Sequence, residues 1–321
     1  MSLFHPQLSH VGGPRSAFRQ RERATLGRVD EWLQRGFGVR FDWGPTGAGR
    51  LAPGSALAVV VDVLSFTTSV SVLVEAGTRV YPYPWQDGLG FARHHGAALA
   101  VGRRAVTAET PWSLSPAALR RAPATPRLVL PSPNGSAIAA AIQDHCGLVA
   151  GSLRNAGAVG RWLASCGVGT VDRPLTVVAA GERWPDGSLR PALEDLLGAG
   201  AVIAALGACL AAGAGSRRPQ PPPGLHLAPT GSPAPTGGST PSPEEARAGA
   251  SLSPEAAAAL AAFRACADIP AAVATSASGR ELAATGFAQD VAVAVEVDAS
   301  TAVPLMVNGA FSAAGPGSDV G

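Results

Sequence analysis

The chain has 321 residues, 46% of them hydrophobic and 15% charged, with a formal net charge of +2. That length can bury a large core, as one big domain or two smaller ones, and so small a charge excludes an electrostatic nucleic-acid binder. All 25 basic residues are arginine, so a Walker-type phosphate loop and Schiff-base chemistry, both of which need lysine, are excluded as well.

Residues 1–15 read as a loose tail, and Met1 to Gln20 lacks the apolar block of a secretory leader. Phe18 to Trp32 predicts an amphipathic helix, and Val39 to Trp43 alternates like a half-buried strand. From Leu57 strands and helices take turns. Leu57–Leu64, Arg79–Tyr83, Arg127–Leu130, Gly147–Ala150 and Leu175–Ala180 predict strands. Between them fall helices at Thr67–Glu75, Phe91–Ala98, from about Ser136, at Asn155–Ser165 and at Pro191–Ala212. Gly213 to about Ser251, rich in Pro, Gly, Ser and Thr, reads as a disordered surface excursion. Helices resume at Pro254–Ala265 and Gly279–Gly286, and Asp290–Val297 predicts a late strand. The rhythm argues for an α/β fold, three layers α/β/α around a mostly parallel or mixed sheet. The expected organisation is an N-terminal tail, helix and strand over 1–50 packing on the core, an α/β domain over 51–212 and 252–315, and the insertion at 213–251. No apolar run of the length of a membrane span lacks Gly or charge, so no membrane partner is expected. Four widely spaced cysteines read as buried small hydrophobes, which fits a cytoplasmic protein.

The chemistry concentrates at strand ends, where open α/β sheets bind ligands. Val59-Val60-Val61-Asp62 runs apolar into a carboxylate and then into the hydroxyls of Ser65, Thr67 and Thr68. Leu175 to Ala180 repeats the arrangement, running into Gly181-Glu182-Arg183 and then Arg190 and Glu194-Asp195. Ser132-Pro133-Asn134-Gly135-Ser136 and Gly151-Ser152-Leu153-Arg154-Asn155 each follow a strand and open a helix, a setting whose backbone N–H groups take anions. Carboxylates for a hard cation beside Arg for an anion is what phosphoryl transfer needs. Two familiar solutions are absent. A haloacid-dehalogenase site needs a second Asp where Leu64 stands, and no cysteine has Arg six residues after it. His94-His95 reads as a solvated pair.

Taken in order, these segments resemble the 2-phosphosulfolactate phosphatase family. The motifs are Asp62-Val63-Leu64, Asn134-Gly135-Ser136, Gly151-Ser152-x-x-Asn155-Ala156, Ala180-Gly181-Glu182, Glu194-Asp195 with Gly198-Ala199-Gly200, and Ser278-Gly279 to Asp290-Val291. The resemblance implies a Mg2+-dependent α/β enzyme that hydrolyses 2-phospho-3-sulfolactate to 3-sulfolactate and phosphate. On that reading Asp62, Glu182 and Glu194 are the candidates for catalysis, and Asp62, Glu194 and Asp195 the candidates for holding the metal. Asn134, Gly135, Ser136, Ser152, Asn155, Arg183 and Arg190 would bind a small anionic phosphate-ester substrate, and a homo-oligomer is one option for the assembly. Three positions depart from the family pattern: Ser65 replaces Arg, Arg103 replaces Glu in a Gly-Glu-Arg, and Leu114 replaces Asn. Those departures leave open a phosphatase for another small organic-acid ester, or a non-catalytic anion binder on the same fold.

Overall fold

Leu57–Val61 forms β2, five consecutive buried residues, because a strand covered by helices on both faces carries apolar side chains without polar alternation. The computed structural model describes residues 31–84, 88–213 and 251–314. Contacts within the chain separate Met1–Arg35 from Gly36–Gly321, and everything below concerns the second unit. The expected tail, nearly all of the Phe18–Trp32 helix and the low-complexity stretch 214–250 lie outside the described residues.

Nine strands make one mixed sheet. β1 (Val39–Trp43), β7 (Leu175–Ala179), β2 and β6 (Gly147–Gly151) lie side by side in that order, all parallel. β3 (Arg79–Tyr83), β5 (Arg127–Pro131) and β4 (Ala98–Leu99) form a second parallel block. The two blocks are joined through a hairpin, β10 (Pro304–Val307) and β11 (Ala310–Ala313), antiparallel to β6 on one side and to β3 on the other. The two blocks therefore point in opposite directions, and the C-terminal ends of β1, β7, β2 and β6 share one edge. A separate two-stranded ribbon, β8 (Glu182–Arg183) with β9 (Leu189–Arg190), follows β7.

The side-chain period of two builds the three layers. Val59, Val61 and Val177 enter one core, with Val159 and Leu163 of α6 (Ala156–Ser165) and Val202 and Leu206 of α7 (Leu193–Gly213). Ala58, Val60 and Val178 enter the other, with Val70 and Leu73 of α2 (Phe66–Glu75) and Ile138 and Ile142 of α5 (Gly135–Ile142). The other α-helices among the described residues of this unit are α1 (Gly44–Leu51), α3 (Gly88–His94), α4 (Pro116–Leu119), α8 (Pro254–Ala265), α9 (Ile269–Thr275), α10 (Ala277–Ala284) and α11 (Ala288–Ala294).

By length and composition α7 could cross a bilayer, but it serves here as a core helix between α6 and α8. Its glycines are where neighbours come closest. A Cβ on Gly198 would meet Val63 at 2.7 Å and Val61 at 2.9 Å, and one on Gly200 would meet the backbone of Ala259 in α8.

One predicted strand is a helix instead, and the predicted Phe91–Ala98 helix ends at His94, with Ala98 in β4. Asp290–Val297 is not a strand: Ala288–Ala294 is α11, followed by a turn. The alternation Val291-Ala292-Val293-Ala294-Val295 mimics period two, yet it also puts Val291, Ala294 and Val295 at helical spacing against the core.

Candidate active site

Asp62 follows the last residue of β2; it is 5% exposed, and its carboxylate is fixed by two backbone donors. Phe66 N donates to Oδ1 at 3.0 Å and Gly135 N to Oδ2 at 2.9 Å. Thr67 closes the same turn, its hydroxyl accepting from Asp62 N and donating to Asp62 O. The anion-shaped turn at Ser132–Ser136 is thus filled from within the chain. Its Gly135 N–H is shared between Asp62 and Ser132 Oγ, and Ser136 Oγ donates back to Leu130 O.

The second strand end answers the first. Asp195, in the first turn of α7, accepts Val63 N at 2.7 Å on Oδ1 and Gly181 N at 2.8 Å on Oδ2, so it pins both β2 and β7 to the helix. Glu194, 1% exposed, takes a hydrogen bond from Ser276 Oγ at 3.1 Å on Oε2. Glu182 opens β8 and accepts Asn134 Nδ2 at 3.1 Å. Its partner across the ribbon is Arg190, on the same face.

These carboxylates feel one another. The Asp62 carboxyl is pushed up to about 6, first by burial and then by the charge of Glu194, against the two N–H donors and Arg103. Burial, then Asp62 and Glu194, hold Asp195 well above the ordinary carboxylate range. Glu182 is pushed up to about 7 by burial and by Asp62 and Glu194, with Asn134 and Arg190 opposing. Such a cluster carries more negative charge than the two arginines balance, the condition a bound cation would relieve.

In the sequence Arg103 stands out only as a departure from the family pattern, and Asp290 as part of a family motif and the start of a predicted strand; the structure makes them a pair. Arg103 Nε donates to Asp290 Oδ2 at 2.9 Å, and its Nη2 donates to Ser65 Oγ at 2.7 Å. Asp290, 1% exposed, is held in turn by Ser115 Oγ at 2.5 Å and Ala117 N at 3.3 Å. No spacing in the sequence connects residues 65, 103, 115 and 290. The signal present was that Ser65 and Arg103 depart from the family pattern together.

Asp62, Asn134, Gly135, Glu182, Arg190, Glu194 and Asp195 are brought together by these bonds and charges. Ser136 stays fully buried behind the turn. Ser152 and Asn155 are also fully buried, and they serve each other: Asn155 Oδ1 accepts Ser152 N at 2.8 Å and Ser152 Oγ at 3.0 Å. Asn155 Nδ2 donates to Ala150 O and Ala302 O, which spends the amide on the turn and the hairpin approach. Arg183 lies on the opposite face of the ribbon from Glu182, exposed, and bonds Gly187 O at 3.1 Å.

Among the described residues no three His, Cys, Asp or Glu side chains converge on one point as a ready-made metal cage. Mg2+ keeps several waters and takes only one or two carboxylates, and oxygen donors suit it. Asp62 and Glu194 meet that need best. Glu194 has one oxygen without a protein donor among the described residues, and each Asp62 oxygen retains a lone pair beyond its backbone bond.

The family model described as 2-phosphosulpholactate phosphatase matches residues 49–222, more than half of the chain and a stretch that contains Asp62, Asn134, Glu182, Glu194 and Asp195. No curated protein matches the chain closely enough to count as a relative.

Proposed function

The chain belongs to the 2-phosphosulpholactate phosphatase family, a family of phosphoric monoester hydrolases, and on that premise we propose that it hydrolyses 2-phospho-3-sulfolactate to 3-sulfolactate and phosphate with Mg2+ as cofactor. The observation that supports this reading most is the gathering of buried Asp62, Glu194 and Asp195 with half-buried Glu182, like charges beside one another, inside the matched segment. Asp62 and Glu194 would hold the cation, which when bound supplies positive charge to the phosphoryl oxygens. Asp195, whose oxygens tie Val63 and Gly181 in place as those of Asp62 tie Phe66 and Gly135, would add its charge to the same cation site.

Glu182 is the candidate base. A carboxylate with its proton affinity raised toward neutrality can accept a proton from an attacking water, and Asn134 fixes one of its oxygens while leaving the other for that water. The water oxygen would bond to phosphorus as the ester P–O bond breaks, and the leaving alkoxide would take up a proton from solvent. Arg190 sits across the ribbon from Glu182, over the Trp184 ring at 5.6 Å, and would pair with the substrate's second anionic group. Its only ion-pair partner among the described residues is the exposed Glu281 at 3.4 Å, a weak competitor for a dianion.

The test is phosphate release by the purified protein from 2-phosphosulfolactate, with Mg2+ or with EDTA, beside a panel of phosphorylated hydroxy acids. Mg2+-dependent release, fastest on 2-phosphosulfolactate, is expected. Faster release from another ester would reassign the substrate, and equal release in EDTA would remove the metal from the reading.

A further inference from the structure

Resting on the phosphatase reading, we propose that Arg103 is the phosphoryl-binding residue of the site, presenting the unused N–H groups of its guanidinium to the non-bridging oxygens of the ester. The anchoring comes from behind. Asp290 takes Nε at 2.9 Å, Ser65 Oγ takes one Nη2 hydrogen at 2.7 Å, and the guanidinium carbon lies 5.4 Å from the centroid of the Phe287 ring. Asp290 is itself immobilised by Ser115 and Ala117 N. A guanidinium has five N–H donors, so Nη1 and the second Nη2 hydrogen have no acceptor among the described residues, while the side chain is 19% exposed. Its one ion pair is thus at its rear. Two further observations put Arg103 beside the reacting end. Ser65 lies in the same β2-to-α2 turn as Asp62, and Arg103 is the cation that acts on the Asp62 charge. The turn N–H that would otherwise receive an anion, that of Gly135, is already occupied by Asp62 Oδ2. A fork of this kind, fixed before the ligand arrives, suits a tetrahedral oxyanion and loses little side-chain entropy on binding.

The probe is inorganic phosphate, titrated calorimetrically in Mg2+ buffer against the wild type, Arg103→Gln and Arg103→Lys, with kcat/KM measured on an aryl phosphate and on 2-phosphosulfolactate. Loss of a charge-assisted contact predicts phosphate affinity roughly ten- to a hundredfold weaker in Arg103→Gln, and a smaller loss in Arg103→Lys, which keeps charge but not the fork. Because both substrates share the phosphoryl group, their kcat/KM values should fall by the same factor. A residue that only braces Asp290 would lower Tm and leave phosphate affinity intact, which would overturn the proposal. If Arg103→Gln fails to fold, undiminished phosphate affinity in folded Arg103→Lys overturns it equally. Should the wild type release phosphate from no ester, the function falls separately: phosphate binding that is lost in the variants still supports Arg103 as an oxyanion site, and no binding by the wild type refutes it.

Discussion

The backbone N–H of Gly135 donates to Asp62 Oδ2 at 2.9 Å, which ties the start of α5, arriving from the second strand block, to the end of β2 in the first. Only glycine allows it: a Cβ there would overlap the Phe66 ring and lie 2.9 Å from Asp62 Oδ2. Gly135→Ala should therefore lose stability by about 1–3 kcal/mol through overpacking, several degrees in Tm, and lose most activity with it. Calorimetry beside a phosphate-release assay checks both, and a Tm unchanged within a degree would mean that the contact can open at little cost.

Much of the fold was legible because buried strands such as Leu57–Val61 and Leu175–Ala179 are continuous apolar runs and their helices carry clear boundaries. The central hairpin was equally legible and was missed. Asn308-Gly309 lies between short apolar runs, and both residues have positive φ, 51° and 73°, as a tight hairpin turn requires. α1 was not legible: Gly-Pro-Thr-Gly-Ala-Gly is a poor helix former, and packing carries it, with Gly47 against the Asp42 side chain. In the site, strand ends announced Asp62 and Glu182 by position alone. The pairing of Asp290 with Arg103 joins residues 187 positions apart through tertiary packing that no local pattern encodes.

Asp62→Asn tests the proposed metal ligand with a known structural side effect. Both Asp62 oxygens accept backbone N–H groups, so an amide must turn its NH2 toward one of them. About 1–3 kcal/mol of stability should be lost, offset in part by removal of a charge that its neighbours repel. The circular dichroism spectrum should stay native while Mg2+-dependent turnover disappears. Turnover near wild type at saturating Mg2+ would take Asp62 out of the metal site.

Chelated protein should grow less stable as pH rises. Asp62 near 6, Glu182 near 7 and Asp195 well above its ordinary value all bind protons more tightly in the folded chain than the unfolded one does. Between roughly pH 4, where unfolded carboxyls titrate, and pH 7, the native state holds the extra protons, so stability falls with rising pH across that window. In EDTA, Tm should drop between pH 5 and pH 8. Mg2+ binds the ionised cluster, so the Tm gain from adding it should grow with pH. A Mg2+ effect that is absent, or the same at pH 5 and pH 8, would argue against a cation among these carboxylates.

Arg190 and Arg183 lie seven positions apart on one short ribbon but face opposite ways, which makes each the control for the other. Arg190 opposes Glu182, and its charge holds the Glu182 proton affinity down. Arg190→Ala should therefore do two things. It should lower kcat/KM on doubly anionic esters by roughly ten- to a hundredfold while sparing a simple aryl phosphate, because a bidentate contact to the second anion is gone. It should also move the acidic limb of the pH–rate profile, expected near 7, to higher pH, since Glu182 must lose its proton to act as base. Arg183→Ala, whose side chain bonds only the ribbon's own Gly187 carbonyl among the described residues, should leave both quantities within twofold or so of wild type. An equal loss on both substrates in Arg190→Ala would assign Arg190 to the phosphoryl group instead. An acidic limb that stays fixed would separate Arg190 from Glu182 and remove Glu182 as the titrating base.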